Sequence, residues 1–529
     1  MRKIAILGGG VSALTSALEL TEDQSWKTNY DITVYQMGWR LGGKAASSRN
    51  EGKGCRIEEH GLHIWLGFYE NAFSVMNRCY AELNRPVGHP LATVSDAFKP
   101  HSFVVLEEQL DTGWKHWSSE FPTNDQVPGD GSGLPTLWEY TKMAIEAVHN
   151  ALVNHDEFKN AQFQEVSVGI KPPWWEQLWK QLSTQAEIDA LGFGAALSGM
   201  ALKSAAALDA DPINHAAVDH QTIHWFMQRL TTWLRGVEQR LDDITFIRRT
   251  WIPIDLMTSV VRGLLADGTI FNGLDSLDQY EFRAWLKKHG ASDISLNSAW
   301  LRGAYDLAFS FVGGEPTKPN IAAGVAIRAM FRMMFTYKGA VLWKMQAGMG
   351  ETVITPIYEV LRNRGVKFEF FHRVDKLRLS VDGASVEKIE IGLQATPIGA
   401  FAPLVERCGM LCWPAGPLFD QLQEGEALRA SGENLESHWT AWKDVGKETL
   451  TKGVDYDTII IGISLNALPS IADEIAARDP KWSEMFDEVH TIQTQGFQLW
   501  MRKDLPASGW DLPSPVLGGY VEPLDTWAA

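Results

Sequence analysis

A short apolar run that breaks on three consecutive glycines, then restarts as a helix-forming stretch, governs what the first fifty residues can fold into. KIAIL, from Lys3 to Leu7, has the pattern of a buried parallel strand. Gly8-Gly9-Gly10 interrupts it. VSALTSALEL follows, and Val11, Leu14, Leu18 and the alanines between them suit a helix lying on a sheet. Read as G-x-G-x-x-A, the order singles out Gly8, Gly10 and Ala13. Gly8 permits a tight turn, Gly10 lets a pyrophosphate approach the backbone, and Ala13 allows close packing of helix on strand. Ser12 lies in the first helical turn, where free N–H groups and a partial positive charge face the phosphates. A glycine-rich turn in an ordinary α/β domain is the bland alternative. The strand–turn–helix order, with a second strand behind it, favours dinucleotide binding.

The second strand is expected over Ile32 to Tyr35 and ends at Gln36. An acidic residue usually stands there to accept hydrogen bonds from the adenosine ribose. Gln36 offers an amide oxygen without the charge. GWRLGGKAAS comes next, and here the chain resembles the flavin-dependent amine oxidase and phytoene desaturase superfamily, whose second strand is followed by R-x-G-G-R/K. Arg40, Gly42, Gly43 and Lys44 match that motif. The resemblance implies FAD rather than a nicotinamide cofactor, with the arginine and glycines along the pyrophosphate and flavin side. A basic surface turn is the alternative for this block.

A third block, EEHGLHIWLGFYENAFSVMNRCYAEL from Glu58 to Leu83, resembles a segment of plant-type phytoene and ζ-carotene desaturases, roughly G-L-H-x-F-F-G-x-Y-x-N. Gly61, Leu62, His63, Gly67, Tyr69 and Asn71 carry the match. The resemblance places Gly61, Leu62 and His63 beside the isoalloxazine ring, where glycine lets backbone approach a flat ring. His60 and His63, three apart, also have the look of metal ligands. No third ligand follows at a recognisable spacing, so a histidine beside the cofactor is the preferred role and no metal is expected.

The net charge of −17 argues against a nucleic-acid surface, which needs clustered Lys and Arg, and against purely electrostatic docking to anionic lipid. Four cysteines are too few for a disulfide framework, and Cys408 and Cys412 lack the second pair of a zinc site. The N-terminus enters the nucleotide strand directly, unlike a signal peptide. The apolar run from Ala190 to Leu202 is shorter than the roughly twenty residues that span a bilayer. A cytoplasmic protein is expected, with peripheral contact to a membrane left open. Of the 22 tryptophans, Trp174, Trp175 and Trp179 cluster, which suits an apolar tunnel or a membrane-facing rim. Ordinary packing is the simpler account for most of them.

Residues 1–83 are read as the first part of an FAD-binding domain, and 84–341 as an inserted, largely helical substrate domain. The best helix there, HQTIHWFMQRLTTWLRGVEQRL, has Ile223, Phe226, Met227, Leu230, Trp233, Leu234 and Val237 on one stripe, the mark of a core-facing helix. LDQYEFRAWLKKHGAS, from Leu277 to Ser292, resembles a substrate-domain helix of the desaturases. Residues 342–392 return to the nucleotide domain. Gly348-Met349-Gly350 opens a helix that ends at Asn363-Arg364-Gly365, followed by strands at Val366–Phe370, Val374–Leu379 and Val386–Ile391. The resemblance implies that Val374 holds adenine through its backbone. Residues 393–450 look like an insertion, 451–471 like a third part of the FAD domain with one buried strand, and 472–529 like a return to the substrate domain. The fold class is therefore α/β: a Rossmann-type, amine-oxidase-like FAD-binding domain with an inserted, mostly helical α+β substrate domain.

The superfamily closes its flavin domain with a late strand carrying Gly-Asp. Here Gly-Asp occurs only at Gly129-Asp130, in an early polar loop, so the closing segment is expected to be missing from the chain. The resemblance implies an FAD-dependent oxidoreductase taking hydride from a C–H bond of an apolar, carotenoid- or isoprenoid-like substrate. An amine oxidase, a redox-neutral isoprenoid isomerase or dehydroxylase, and a flavin-free binding protein of the GDP-dissociation-inhibitor type remain alternatives. No nucleophile–His–carboxylate set is identifiable. Asp457, His63 and Lys344 are candidates that spacing alone does not support, so no catalytic residue is named.

Overall fold

A computed structural model describes residues 1–154, 187–209, 217–238, 247–521 and 523–529. They form two compact units. One comprises Met1–His101, Gln126–Gly131 and Leu342–Arg502; the other comprises Ser102–Asp125, Ser132–Val341 and Lys503–Ala529, apart from the residues not described.

The first unit begins as the sequence dictates. β1 (Arg2–Leu7) buries Ile4, Ala5, Ile6 and Leu7 in succession, so both of its faces must be covered. α1 (Val11–Leu20) covers one face with Ala13, Leu14, Ala17 and Leu18. β2 (Tyr30–Gln36) pairs parallel to β1. After a hairpin of β3 (Ser47–Asn50) with β4 (Arg56–Glu59), α2 (Glu70–Leu83) packs into the same core. A wide helical turn over Gly350–Ile354 leads into α3 (Thr355–Arg364). Gly365, in the left-handed region at φ 95°, stops α3 and turns the chain into β5 (Lys367–Phe370). β6 (His372–Leu379), β7 (Val386–Leu393) and β8 (Gly446–Thr451) make an antiparallel sheet, and β9 (Thr458–Ile461) ends the strand set. The central sheet runs β5-β2-β1-β9 with every pair parallel. The fold is thus α/β, with a Rossmann-type parallel sheet.

Four details differ from the sequence reading. The strand expected across Asp455–Ile471 is only four residues long and half-buried. Gly462 follows it, and Pro469, which cannot continue a ladder, lies in the first turn of a short helix over Leu468–Ile471. Residues 393–450 belong to the first unit: Trp413, Leu422, Leu428 and Leu435 share one core with Ile4, Leu14 and Val34. The stretch up to His101 also lies in that unit, because Phe98–His101 pairs with Leu342–Met345. Residues 472–502 join it too, and Glu474 there ion-pairs with Arg378 and accepts the Leu379 N–H at 2.9 Å.

The second unit has a helical core and a small sheet. Phe103–Leu110 pairs antiparallel with Gly113–Glu120 and parallel with Val516–Gly518. In the helix Ala217–Glu238, Ile223, Phe226, Met227, Leu230, Trp233 and Leu234 are all buried, so this stripe faces the core. The side chain of Val237 and the cluster Trp174, Trp175 and Trp179 lie outside the described residues. The helix Glu187–Asp209 contains the small-residue run; a Cβ on Gly194 would come within 2.3 Å of the Trp233 ring. Trp285 and Leu286 of Phe282–Lys288 are buried as well. Among the described residues, no helix is long and apolar enough to cross a membrane.

Candidate functional site

The three glycines after β1 do different jobs. Gly8 has φ +97°, donates its N–H to the Tyr35 carbonyl at 2.8 Å, and would place a Cβ 2.9 Å from the Gly462 carbonyl oxygen. Only glycine fits there. Gly9 donates to Gln36 Oε1 at 2.6 Å, and its carbonyl accepts the Gly42 N–H at 2.8 Å. A Cβ on Gly9 would strike Leu41 at 2.4 Å. Gly10 is unlike both. Its φ of −73° and ψ of 170° suit any residue, and the nearest atom to an added Cβ is 3.8 Å away. The fold does not require glycine at position 10.

Around Gly10 the chain builds a small cradle. Gly10 bridges Gly42 in parallel fashion, and a Cβ on Gly43 would lie 3.4 Å from the Gly10 Cα. Gly42 and Gly43 both have positive φ, which turns the loop back toward α1. The N-terminus of α1 has no side-chain cap and no acidic residue in its first turn, and Val11 and Ser12 are exposed. Lys44 is exposed on the short turn Gly43–Ala45. Open backbone, uncapped N–H groups and a nearby cation fit a pyrophosphate. Ala13 is buried, and a Cβ on Gly462 would lie 2.5 Å from the Ala13 methyl, so helix and sheet approach closely at this end.

Gln36 and Arg40 depart from the expectation. Gln36 turns inward: besides accepting from Gly9, its Nε2 donates to the Met37 carbonyl at 2.5 Å. The side chain braces the glycine loop and does not reach outward as a free ribose acceptor. Arg40 is engaged by Glu436, with Nε 2.8 Å and Nη2 2.7 Å from Oε2. Burial raises the pKa of Glu436, against the opposing pull of Arg40. Neither Glu436 nor Gln394, which accepts the Gly38 N–H at 2.8 Å, was singled out from sequence. Both come from a stretch some four hundred positions downstream, where no local pattern marks the pairing (|i−j| 396 and 356).

Of the third block, Gly61 has no atom within 4 Å of an added Cβ, and Leu62 is 43% exposed. His63 Nδ1 is 3.0 Å from Glu59 Oε2, and Nε2 is 3.1 Å from the Lys44 carbonyl oxygen. The histidine therefore ties this block to the glycine-rich turn. Burial opposes its charge, but the hydrogen bond and charge of Glu59 outweigh that, and the pKa is raised. His60 is shifted the other way, lowered by burial and by the charge of Arg40. Val374 is buried on β6 opposite Ile391, in the core that contains Leu7 and Tyr35. Asp457 Oδ2 accepts the Lys3 N–H at 2.8 Å, a structural role, and burial lowers the pKa of Lys344.

Below the cradle, Arg49 and Glu351 form an ion pair at 2.7 Å whose carboxylate is almost fully buried. Gly350 donates to Ser47 Oγ at 2.6 Å, and Met349 donates to Glu59 Oε1 at 3.0 Å. The turn that opens α3 is thereby fastened to β3 and β4. In the second unit, a cavity of about 610 Å³ is lined by Glu281, Arg283, Lys287, Asp293 and Arg302 as well as Tyr305. Ala284, Leu296, Leu301, Phe311, Pro316 and Pro319 complete the wall, so the cavity mixes charged and apolar groups.

Residues 6–79 match the family model described as an NAD(P)-binding Rossmann-like domain, the stretch that holds the glycine loop, the R-x-G-G-K turn and most of α2. This part of the chain has a Rossmann-like fold. The chain is 33% identical to zeta-carotene desaturase of Capsicum annuum over 162 residues, which is 29% of this chain and 24% of that protein. It is 33% identical to the Arabidopsis thaliana protein of that name, over 29% of this chain and 25% of the relative. With the Synechocystis zeta-carotene desaturase the identity is 30%, over 24% and 25% respectively. The chain thus spans about a quarter of the length of these relatives. A solved oxidoreductase from Methanosarcina mazei covers 73% of this chain and 55% of its own, at 11% identity and a TM-score of 0.32. The resemblance to the flavin-dependent desaturase and amine oxidase superfamily, drawn from the motifs, is supported by the desaturase relatives.

Proposed function

We propose that the protein binds FAD on its Rossmann-type unit and acts as an oxidoreductase on an apolar, carotenoid- or isoprenoid-like substrate. The observation that carries the reading is the cradle at Gly10, where open backbone faces Gly43 at an uncapped helix N-terminus. In this reading the backbone of Gly10, Gly42 and Gly43 and the exposed Ser12 and Lys44 hold the pyrophosphate. His63, with acceptors at both ring nitrogens and a raised pKa, lies beside Lys44. Bound FAD supplies the hydride acceptor. The protein binds, aims the substrate and excludes water. A polyene lacks polar handles, so its affinity comes from apolar burial, at about 25 cal/mol per Å².

The test is a titration of the purified protein with FAD, followed by absorbance and by quenching of flavin fluorescence. Saturable binding, then anaerobic bleaching of the flavin bands on addition of zeta-carotene or a related polyene, is the expected result. Protein that takes up no FAD would refute the reading and favour a flavin-free binding protein. Bleaching by amines and not by polyenes would keep the cofactor and overturn the substrate class.

A further inference from the structure

The adenosine ribose of a Rossmann-bound dinucleotide is normally held by a carboxylate at the end of the second strand. This chain has Gln36 there, and its amide is committed to Gly9 and Met37. Two residues on, Gly38 has no side chain and φ +75°, and a Cβ there would lie 2.5 Å from Glu436 Cγ. The space that a side chain at position 38 would fill is taken by Glu436.

That placement is built, not incidental. Gln394 is fully buried, accepts the Gly38 N–H at 2.8 Å, and donates through Nε2 to the Leu435 carbonyl at 2.7 Å. Trp442 Nε1 donates to the Gln394 carbonyl at 2.8 Å, and Trp39 Nε1 donates to the Pro414 carbonyl at 3.0 Å. Through Gln394 the loop after β2 is joined to the backbone just before Glu436, and through Trp39 to Pro414. Arg40 then fixes the orientation of the carboxylate through Nε and Nη2. The side chain stays 16% exposed, so it is reachable from solvent. A carboxylate has about four lone-pair sites, and the Arg40 pairing leaves capacity for hydroxyl donors.

We propose that Glu436, delivered from the 393–450 segment, replaces the missing strand-end acid as the acceptor for the adenosine ribose and selects a ribose without a 2′-phosphate. The inference rests on the dinucleotide reading of the Gly10 cradle. A 2′-phosphate would meet the Glu436 carboxylate, and Arg40 beside it is already paired.

The probes are ADP-ribose, its 2′-phosphate and its 2′-deoxy analogue, each measured by calorimetry on the full chain. Unmodified protein is expected to bind ADP-ribose at least tenfold more tightly than either analogue. Glu436→Gln is expected to weaken ADP-ribose at least tenfold and to narrow the gap to the 2′-phosphate, while the urea midpoint reports folding separately. Equal affinity of the unmodified protein for ADP-ribose and the 2′-deoxy analogue would overturn the inference, whatever the variant does. Unchanged discrimination in folded Glu436→Gln would also overturn it, leaving Glu436 as a brace for Arg40. Failure to bind ADP-ribose or FAD at all would overturn the dinucleotide reading as well, which separates the two failures.

Discussion

Gly8 and Gly10 lie two residues apart in one loop, yet substitution with alanine should affect them in opposite ways. At Gly8 a methyl meets two penalties. The φ of +97° is a region that L-residues occupy at a cost of about 1–3 kcal/mol. The Cβ would also lie 2.9 Å from a backbone oxygen of Gly462, just past β9, whose N–H is held by the Leu7 carbonyl at 2.8 Å. Overpacking of that kind adds about 1–3 kcal/mol, so Gly8→Ala should lower unfolding free energy by roughly 2–6 kcal/mol. At Gly10 the backbone is already extended and the nearest atom is 3.8 Å away. The remaining cost is that alanine is a poorer N-cap than glycine, about 1 kcal/mol at most. The methyl instead fills the space in which a pyrophosphate would approach the backbone. A misfit of about 1–3 kcal/mol there weakens FAD roughly five- to 150-fold. Urea unfolding of both variants, with FAD titration of Gly10→Ala, measures the two effects separately. Normal FAD affinity in stable Gly10→Ala would refute the placement of the pyrophosphate. A Gly8→Ala variant as stable as the parent would refute the steric argument itself.

Removing one partner of the buried Arg49–Glu351 pair should be costly: Glu351→Leu is expected to lose about 3–5 kcal/mol, and the double change Arg49→Leu with Glu351→Leu should recover most of it in urea melts. The raised pKa of His63 makes a pH prediction. Because the folded value exceeds the unfolded one, its stabilisation is complete below about pH 6.5 and is lost as pH rises through the folded value. His63→Gln should flatten that part of the pH–stability curve, and an unchanged curve would sink the assignment. Burial pushes the thiols of Cys79 and Cys412 up to about 12, whereas Cys408 is exposed. Iodoacetamide at pH 8 should therefore modify Cys408 in native protein and spare the other two, as read by peptide mass spectrometry.

The parts of the fold that local chemistry decides were legible in the sequence. β1 announces itself because a strand covered on both faces must be apolar throughout. The helix ending at Gly365 is legible because a left-handed stop favours glycine and because Arg362 and Arg364 complement its C-terminus. The parts decided by distant partners were not. Nothing near Gln36 reveals that its amide is consumed by Gly9, and nothing near Arg40 points to Glu436. The 393–450 stretch read as an insertion because it departs from the superfamily's pattern and carries loop signals at GPLF and SGEN. It supplies Trp413, Leu422, Leu428 and Leu435 to the core because those residues come from separate short elements.

The pairing of β1 with β9 also sets the order of events during synthesis. The N–H of Lys3 meets the carboxylate of Asp457, 454 positions away. At about 5–20 residues per second, a ribosome takes roughly half a minute to a minute and a half to deliver that partner. Until then β1 has one open edge, and the glycine loop lacks the carbonyl of Gly462 that it packs against. Over that interval the nascent chain carries an apolar strand paired on one edge only, a state prone to aggregation.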